Sequence, residues 1–151
     1  MQAEIVRQAI GNAAEGVLET MFFTIPEGEV EASGDAVPET LRASMTFTGD
    51  WSGSFIVETP LQSAREIAAN FLGEMDPGEI PEPKAREVIS ELANMVCGST
   101  LSFLDRDKLF DLGSPRVADA TGFTRGAVAR AYDLGNGSTI LFALESGAIQ
   151  A

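Results

Sequence analysis

A chain of 151 residues, 44% of them hydrophobic, is long enough to bury a core within one domain. Its formal net charge of −13 argues against nucleic acid as a ligand, because phosphate neutralisation needs clustered Lys and Arg. The absence of histidine removes Ser–His and Cys–His catalysis, His-ligated zinc and histidine phosphotransfer, and no run approaches the ~20 apolar residues of a membrane span.

In chain order, residues 2–23 read as an amphipathic helix. Val6, Ile10, Ala13, Ala14, Val17, Leu18 and Met21 share one face, and Glu4, Gln8, Glu15 and Glu19 the other. Charged early and amphipathic, this segment does not read as a signal peptide. A polar stretch, EGEVEASGDAVPET, follows with room for a short edge strand around Val30. Ala43–Phe47 and Ser54–Glu58 then form a hairpin about Gly49-Asp50-Trp51-Ser52-Gly53. Trp51 at its tip is either an exposed partner anchor or a core aromatic folded back. Thr59-Pro60 opens a helix, with Thr as the cap and Pro in the first turn. Ala64, Ile67, Ala68, Phe71 and Leu72 line its apolar face, and Gly73 ends it. The acidic, proline-rich segment Glu74–Lys84 is too short to separate one domain from another and reads as a surface crossover.

Residues 83–105, PKAREVISELANMVCGSTLSFLD, read as one long helix. Val88, Ile89, Leu92, Met95, Val96 and Phe103 form a broad apolar arc. A narrow stripe of Glu87, Glu91, Asn94 and Gly98 runs beside it. Glu91 and Asn94 are three residues apart, so both heads can reach one small target. Asn is a poor mid-helix residue, and Gly98 costs about 1 kcal/mol of helix stability relative to Ala. Two unfavourable choices on one stripe mark a surface kept for something outside the helix. The single cysteine, Cys97, cannot close an internal disulfide and fits a reducing cytoplasm. With no histidine to activate it, it reads as a small core residue rather than a nucleophile.

Beyond the long helix, Phe110–Ala118 reads as a strand and Gly122–Gly126 as a loop. Ala127–Asp133 and Ser138–Ser146 form a second hairpin about Asn136-Gly137. Helix, weak strand and hairpin (2–59) are thus repeated, after an extra helix, by helix, strand and hairpin (83–146). The arrangement that buries every apolar face is an α+β fold of two pseudo-repeated halves. Their hairpins form one antiparallel sheet with the helices packed across it, in a single domain over 1–151.

On these residues a resemblance rests. SELANMVCGSTL (90–101), the preceding helix LQSAREIAANFLGE, the acidic linker and the order of elements resemble the CheC/CheX family of chemotaxis phosphatases, and within it the CheX group. The resemblance covers nearly the whole chain, though the specific motif is short. It implies hydrolysis of the aspartyl-phosphate of a CheY-like response regulator. Asn94 would orient the attacking water and Glu91 would pair with a lysine of the regulator, with Glu87 and Gly98 at the partner contact. It implies that this chain binds no cofactor of its own, Mg2+ lying in the regulator's pocket, and that the chain is a homodimer. Where the family often has Asp or Ser four residues before the glutamate, this chain has Glu87, and Ser99 stands where Asn often follows the glycine. The first helix lacks a second such pair, since Glu15 meets Leu18 and Glu19 meets Phe22 at the third position on. The alternative is a non-catalytic partner-binding module of the same fold, similar to flagellar switch proteins. A small-molecule sensor is weaker still, since no glycine-rich phosphate loop is present.

Overall fold

The computed structural model of the chain describes residues 1–32, 39–119 and 127–150. Its elements in chain order are α1 (Ala3–Met21), β1 (Gly28–Val30), β2 (Thr40–Thr48), β3 (Gly53–Pro60), α2 (Leu61–Leu72), α3 (Glu82–Leu104), β4 (Asp111–Leu112), β5 (Arg116–Asp119), β6 (Val128–Gly135) and β7 (Ser138–Glu145), with a 3-10 turn at Pro77–Glu79 before α3. The strands form one sheet in the order β1-β6-β7-β3-β2-β4, with β5 also paired to β2. Every pairing between these strands is antiparallel. The hairpins β2–β3 and β6–β7 join at β3 and β7, from Ser54 opposite Glu145 to Glu58 opposite Leu141. Each half then lends its weak strand to the other: β1 lies on β6, while β4 and β5 lie on β2. This exchange makes the two expected halves one α+β sheet with helices packed on it.

Alternation along the strands sends one set of side chains toward the helices. Leu41, Ala43, Met45 and Phe47 of β2 meet Phe55 and Val57 of β3 and Ile140, Phe142 and Leu144 of β7 in the main core. Over them lie Val6, Ile10 and Leu18 of α1, Ala64 and Ile67 of α2, and Val88, Ile89, Leu92 and Val96 of α3. Removing a side chain such as that of Leu92 costs about 2–5 kcal/mol. The face of α3 turned from the sheet is therefore presented by a firmly seated rod.

Local chemistry sets the turns. Asn136 and Gly137 both take positive φ, 53° and 80°, as a two-residue hairpin turn requires. Gly73 (φ 74°) closes α2, and Glu74 N–H donates to Ala69 O at 2.9 Å.

Several expectations are corrected. Residues 110–118 form two short strands instead of one, broken at Gly113-Ser114-Pro115, because Pro115 has no N–H for the ladder. Gly113 N–H still donates to Thr46 O at 2.8 Å, so both pieces stay on β2. Thr59 does not cap α2; it ends inside β3, and its hydroxyl donates to Thr139 O at 2.7 Å. Phe103 lies outside the apolar arc at 52% exposure, and Leu104 packs inward in its place. Met21 and Leu72, at the ends of their helices, are also exposed. Of the two readings of Trp51, the folded-back aromatic holds: it is half-buried, edge-on to Phe47 and Phe110, each at 5.2 Å. The Gly122–Gly126 loop lies outside the described residues.

Candidate functional site

The 23 residues of α3 begin at Pro81 as N-cap, with Glu82 and Pro83 in the first turn. Both suit a helix start, Pro by its fixed φ and a carboxylate by the dipole. Arg86 ties this end to the sheet: its guanidinium meets Asp119 of β5 at 2.5 Å and Glu82 at 3.5 Å. α3 packs against both α1 and α2 and over β2, β3 and β5. Ala85, Val88, Ile89, Leu92, Ala93, Val96, Cys97, Thr100 and Leu101 are its buried residues.

The stripe singled out by sequence lies on the opposite side. Glu87 and Glu91 are exposed, and Asn94 and Gly98 are half-buried. Glu87 pairs with Lys84 at 3.1 Å, an exposed i, i+3 contact worth a few tenths of a kcal/mol and easily given up. Among the described residues, the side chains of Glu91 and Asn94 have no hydrogen-bond or ion-pair partner. The carboxylate and carboxamide, one turn apart, are therefore both free to engage something outside the chain. A methyl group placed on Gly98 would meet Leu112 Cδ1 at 3.7 Å, an ordinary contact. Among the described residues, nothing packed against Gly98 demands a glycine there.

Other chemistry is scarce. Cys97 is fully buried, and burial pushes its thiol up to about 12, so it stays protonated and unreactive. Among the described residues, no three His, Cys, Asp or Glu side chains gather as a metal-binding group. No helix among them is long and apolar enough to cross a membrane.

The sequence pattern did not reveal a shallow cavity of about 190 Å3 beside the stripe, lined by Gly98, Leu101, Ser102, Lys108, Leu109, Phe110 and Leu112. Leu109 within it is 94% exposed. Its signal was KLFDL, an apolar pair set among charges after the helix.

Comparison with known proteins puts these features in a family. The family model "Chemotaxis phosphatase CheX" matches residues 41–133, more than half of the chain. CheX of Borrelia burgdorferi, solved in complex with CheY, BeF3 and Mg2+, superposes with a TM-score of 0.71 at 18% identity, over 91% of this chain and 95% of that one. CheX of Vibrio vulnificus gives 0.71 at 20% identity, over 91% and 93%. FliY of Thermotoga maritima gives 0.64 at 16% identity, over 96% and 87%. Comparison with curated protein sequences gives no match. At these identities the solved structures establish the shared fold, and the match of the sequence to the family model establishes membership: the chain belongs to the CheX family of chemotaxis phosphatases.

Proposed function

We propose that this chain hydrolyses the aspartyl-phosphate of a CheY-like response regulator, with Glu91 and Asn94 as the working pair. The observation that carries the reading is that both polar heads stand on the outward side of a fixed helix with no partner among the described residues. Glu91 pairs with the ammonium of a regulator lysine and fixes the approach. Asn94 enters the regulator's pocket, and its carboxamide oxygen accepts a hydrogen bond from a water placed in line with phosphorus. That water forms the new P–O bond as the acyl-phosphate P–O bond breaks. The aspartate leaves as carboxylate, inorganic phosphate is released, and the water's proton passes to phosphate or solvent. An amide suits this work because it orients water without titrating. Phosphoryl transfer needs positioning more than covalent help. The divalent cation belongs to the regulator's acidic pocket; it accompanies the substrate and is not a cofactor of this chain.

The test is to follow dephosphorylation of a phosphorylated regulator with Mg2+. Asn94→Ala is expected to lower the rate roughly 100-fold or more. Its melting temperature should hold or rise slightly, because the side chain makes no hydrogen bond among the described residues and Ala is the better helix former. Hydrolysis unaffected by the substitution sinks the catalytic assignment. The switch-like binding module remains the rival, and binding without turnover by the wild type would favour it.

The reading includes a homodimer. Among the described residues the sheet ends at β1, whose three residues are exposed, and such an edge can pair with a second copy. Light scattering at micromolar concentration is expected to give twice the 16.0 kDa chain mass; a clean single-chain mass counts against it.

A further inference from the structure

We infer that the groove beside Gly98 is a second contact for the same response regulator, with Leu109 as its apolar anchor; this rests on the reading of Glu91 and Asn94 given above. Leu109 is 94% exposed, yet it is not on a loose end. Lys108 on one side is pinned to Asp50 at 2.6 Å, with Asp105 at 3.9 Å. Phe110 on the other side is wedged edge-on between Phe47 at 5.9 Å and Trp51 at 5.2 Å. Two anchored neighbours hold an unpaired leucine in water, an arrangement the chain's own packing does not explain.

Continuity with the working pair identifies the occupant. Gly98 and Ser102 form one wall of the groove and continue the stripe of Glu91 and Asn94 along α3. At 1.5 Å per residue, Gly98 lies about 6 Å and Ser102 about 12 Å along the axis from Asn94. A standard protein interface takes about 800 Å2 from each partner, a patch roughly 30 Å across. A folded receiver seated on Asn94 therefore covers the next two turns and the wall opposite, where Leu109 and Leu112 stand. The bare surface at Gly98 lets that body come down close enough to reach them. The regulator surface bordering its phosphorylation pocket must then offer an apolar recess to Leu109.

The experiment titrates the full chain with the CheY-type regulators of the same organism, activated by beryllofluoride and Mg2+, alongside steady-state dephosphorylation. Leu109→Ser is expected to weaken binding and raise KM roughly tenfold, leaving kcat within about twofold. Ser102→Glu, on an exposed helix position of the other wall, should do the same without loss of fold. Asn94→Ala should instead lower kcat and leave binding near the wild-type value. If both groove variants bind as tightly as wild type while Asn94→Ala is inactive, the groove proposal is overturned and the catalytic reading stands. If Leu109→Ser alters the chain's own assembly mass and not its regulator affinity, a second copy covers the groove and the proposal also fails. Full activity of Asn94→Ala with tenfold weaker binding by Leu109→Ser would remove the catalytic role and keep the docking site. Failure of the wild type to bind any regulator ends both.

Discussion

At the scale of single residues, Gly98 separates what the fold needs from what the function needs. A helix-interior glycine costs about 1 kcal/mol relative to alanine, and a close internal contact usually explains it. Here, among the described residues beyond its own helical turns, a methyl group would touch only Leu112 Cδ1, at 3.7 Å. Gly98→Ala is therefore expected to stabilise the chain by about 0.5–1 kcal/mol in denaturant unfolding, while weakening its grip on an activated regulator. A variant that gains stability and binds unchanged would show that the glycine does not serve close approach. Gly11 is the contrasting case. A Cβ there would lie 1.8 Å from Arg130 Nη1, in the way of a guanidinium that donates to Glu29 at 2.8 and 3.0 Å and to Arg7 O at 3.1 Å. A side chain there would have to move the Arg130 guanidinium off these partners.

At the scale of elements, the hairpins show how a backbone approach fixes a residue. A Cβ on Gly53 would sit 2.2 Å from the carbonyl oxygen of Glu145, where β3 meets β7 at the junction of the two halves. Gly53→Ala must push the central strands apart, and a loss of more than about 2 kcal/mol is expected in urea unfolding. A loss under about 0.5 kcal/mol would mean the junction gives way freely. The sequence shows Gly53 only as a turn residue; that it also admits β7 depends on which strands become neighbours, and no local pattern carries that. The same limit explains the other differences. The helix α3, both hairpins and the Asn136-Gly137 turn were legible because they rest on periodicity and turn chemistry within one segment. The split of β4 from β5 was signalled by Pro115 but masked by the apolar residues on either side. The exposure of Phe103 follows from where the core ends, a tertiary fact. The stripe of Glu91 and Asn94 was legible because Asn94 and Gly98 on it are both unfavourable inside a helix. Leu109 was not, since an apolar residue in a charged segment reads as buried until its neighbours are placed.

At the scale of the whole molecule, the two halves close over a core that holds titratable groups in their neutral form, and this sets the pH range of stability. Tyr132 of β6 is 2% exposed, and its hydroxyl has no hydrogen-bond partner among the described residues. Burial pushes the phenol up to about 12, against the opposing pull of the Arg130 charge. Burial likewise raises the Cys97 thiol from 9.0 to about 12. Both groups therefore have folded values above their unfolded ones. The folded chain keeps each proton where the unfolded chain has released it. The stability they contribute is complete below pH 9 and falls as pH rises toward 12, first through Cys97 and then through Tyr132, by up to about 1.4 kcal/mol per pH unit for each group. Glu29 acts at the other end. The hydrogen bond from Arg130 chiefly holds its carboxyl below the ordinary range, so its contribution is present at neutral pH and fades as acid protonates it. Urea unfolding at pH 7, 9.5 and 11 is expected to show a steep alkaline loss in the wild type. Tyr132→Phe should be shallower between pH 9.5 and 11 and, by removing a buried unpaired hydroxyl, as stable or up to about 1 kcal/mol more stable at pH 7. A variant that loses more than about 1 kcal/mol at neutral pH, or keeps the full alkaline slope, would show that the hydroxyl is engaged and that the loss arises elsewhere.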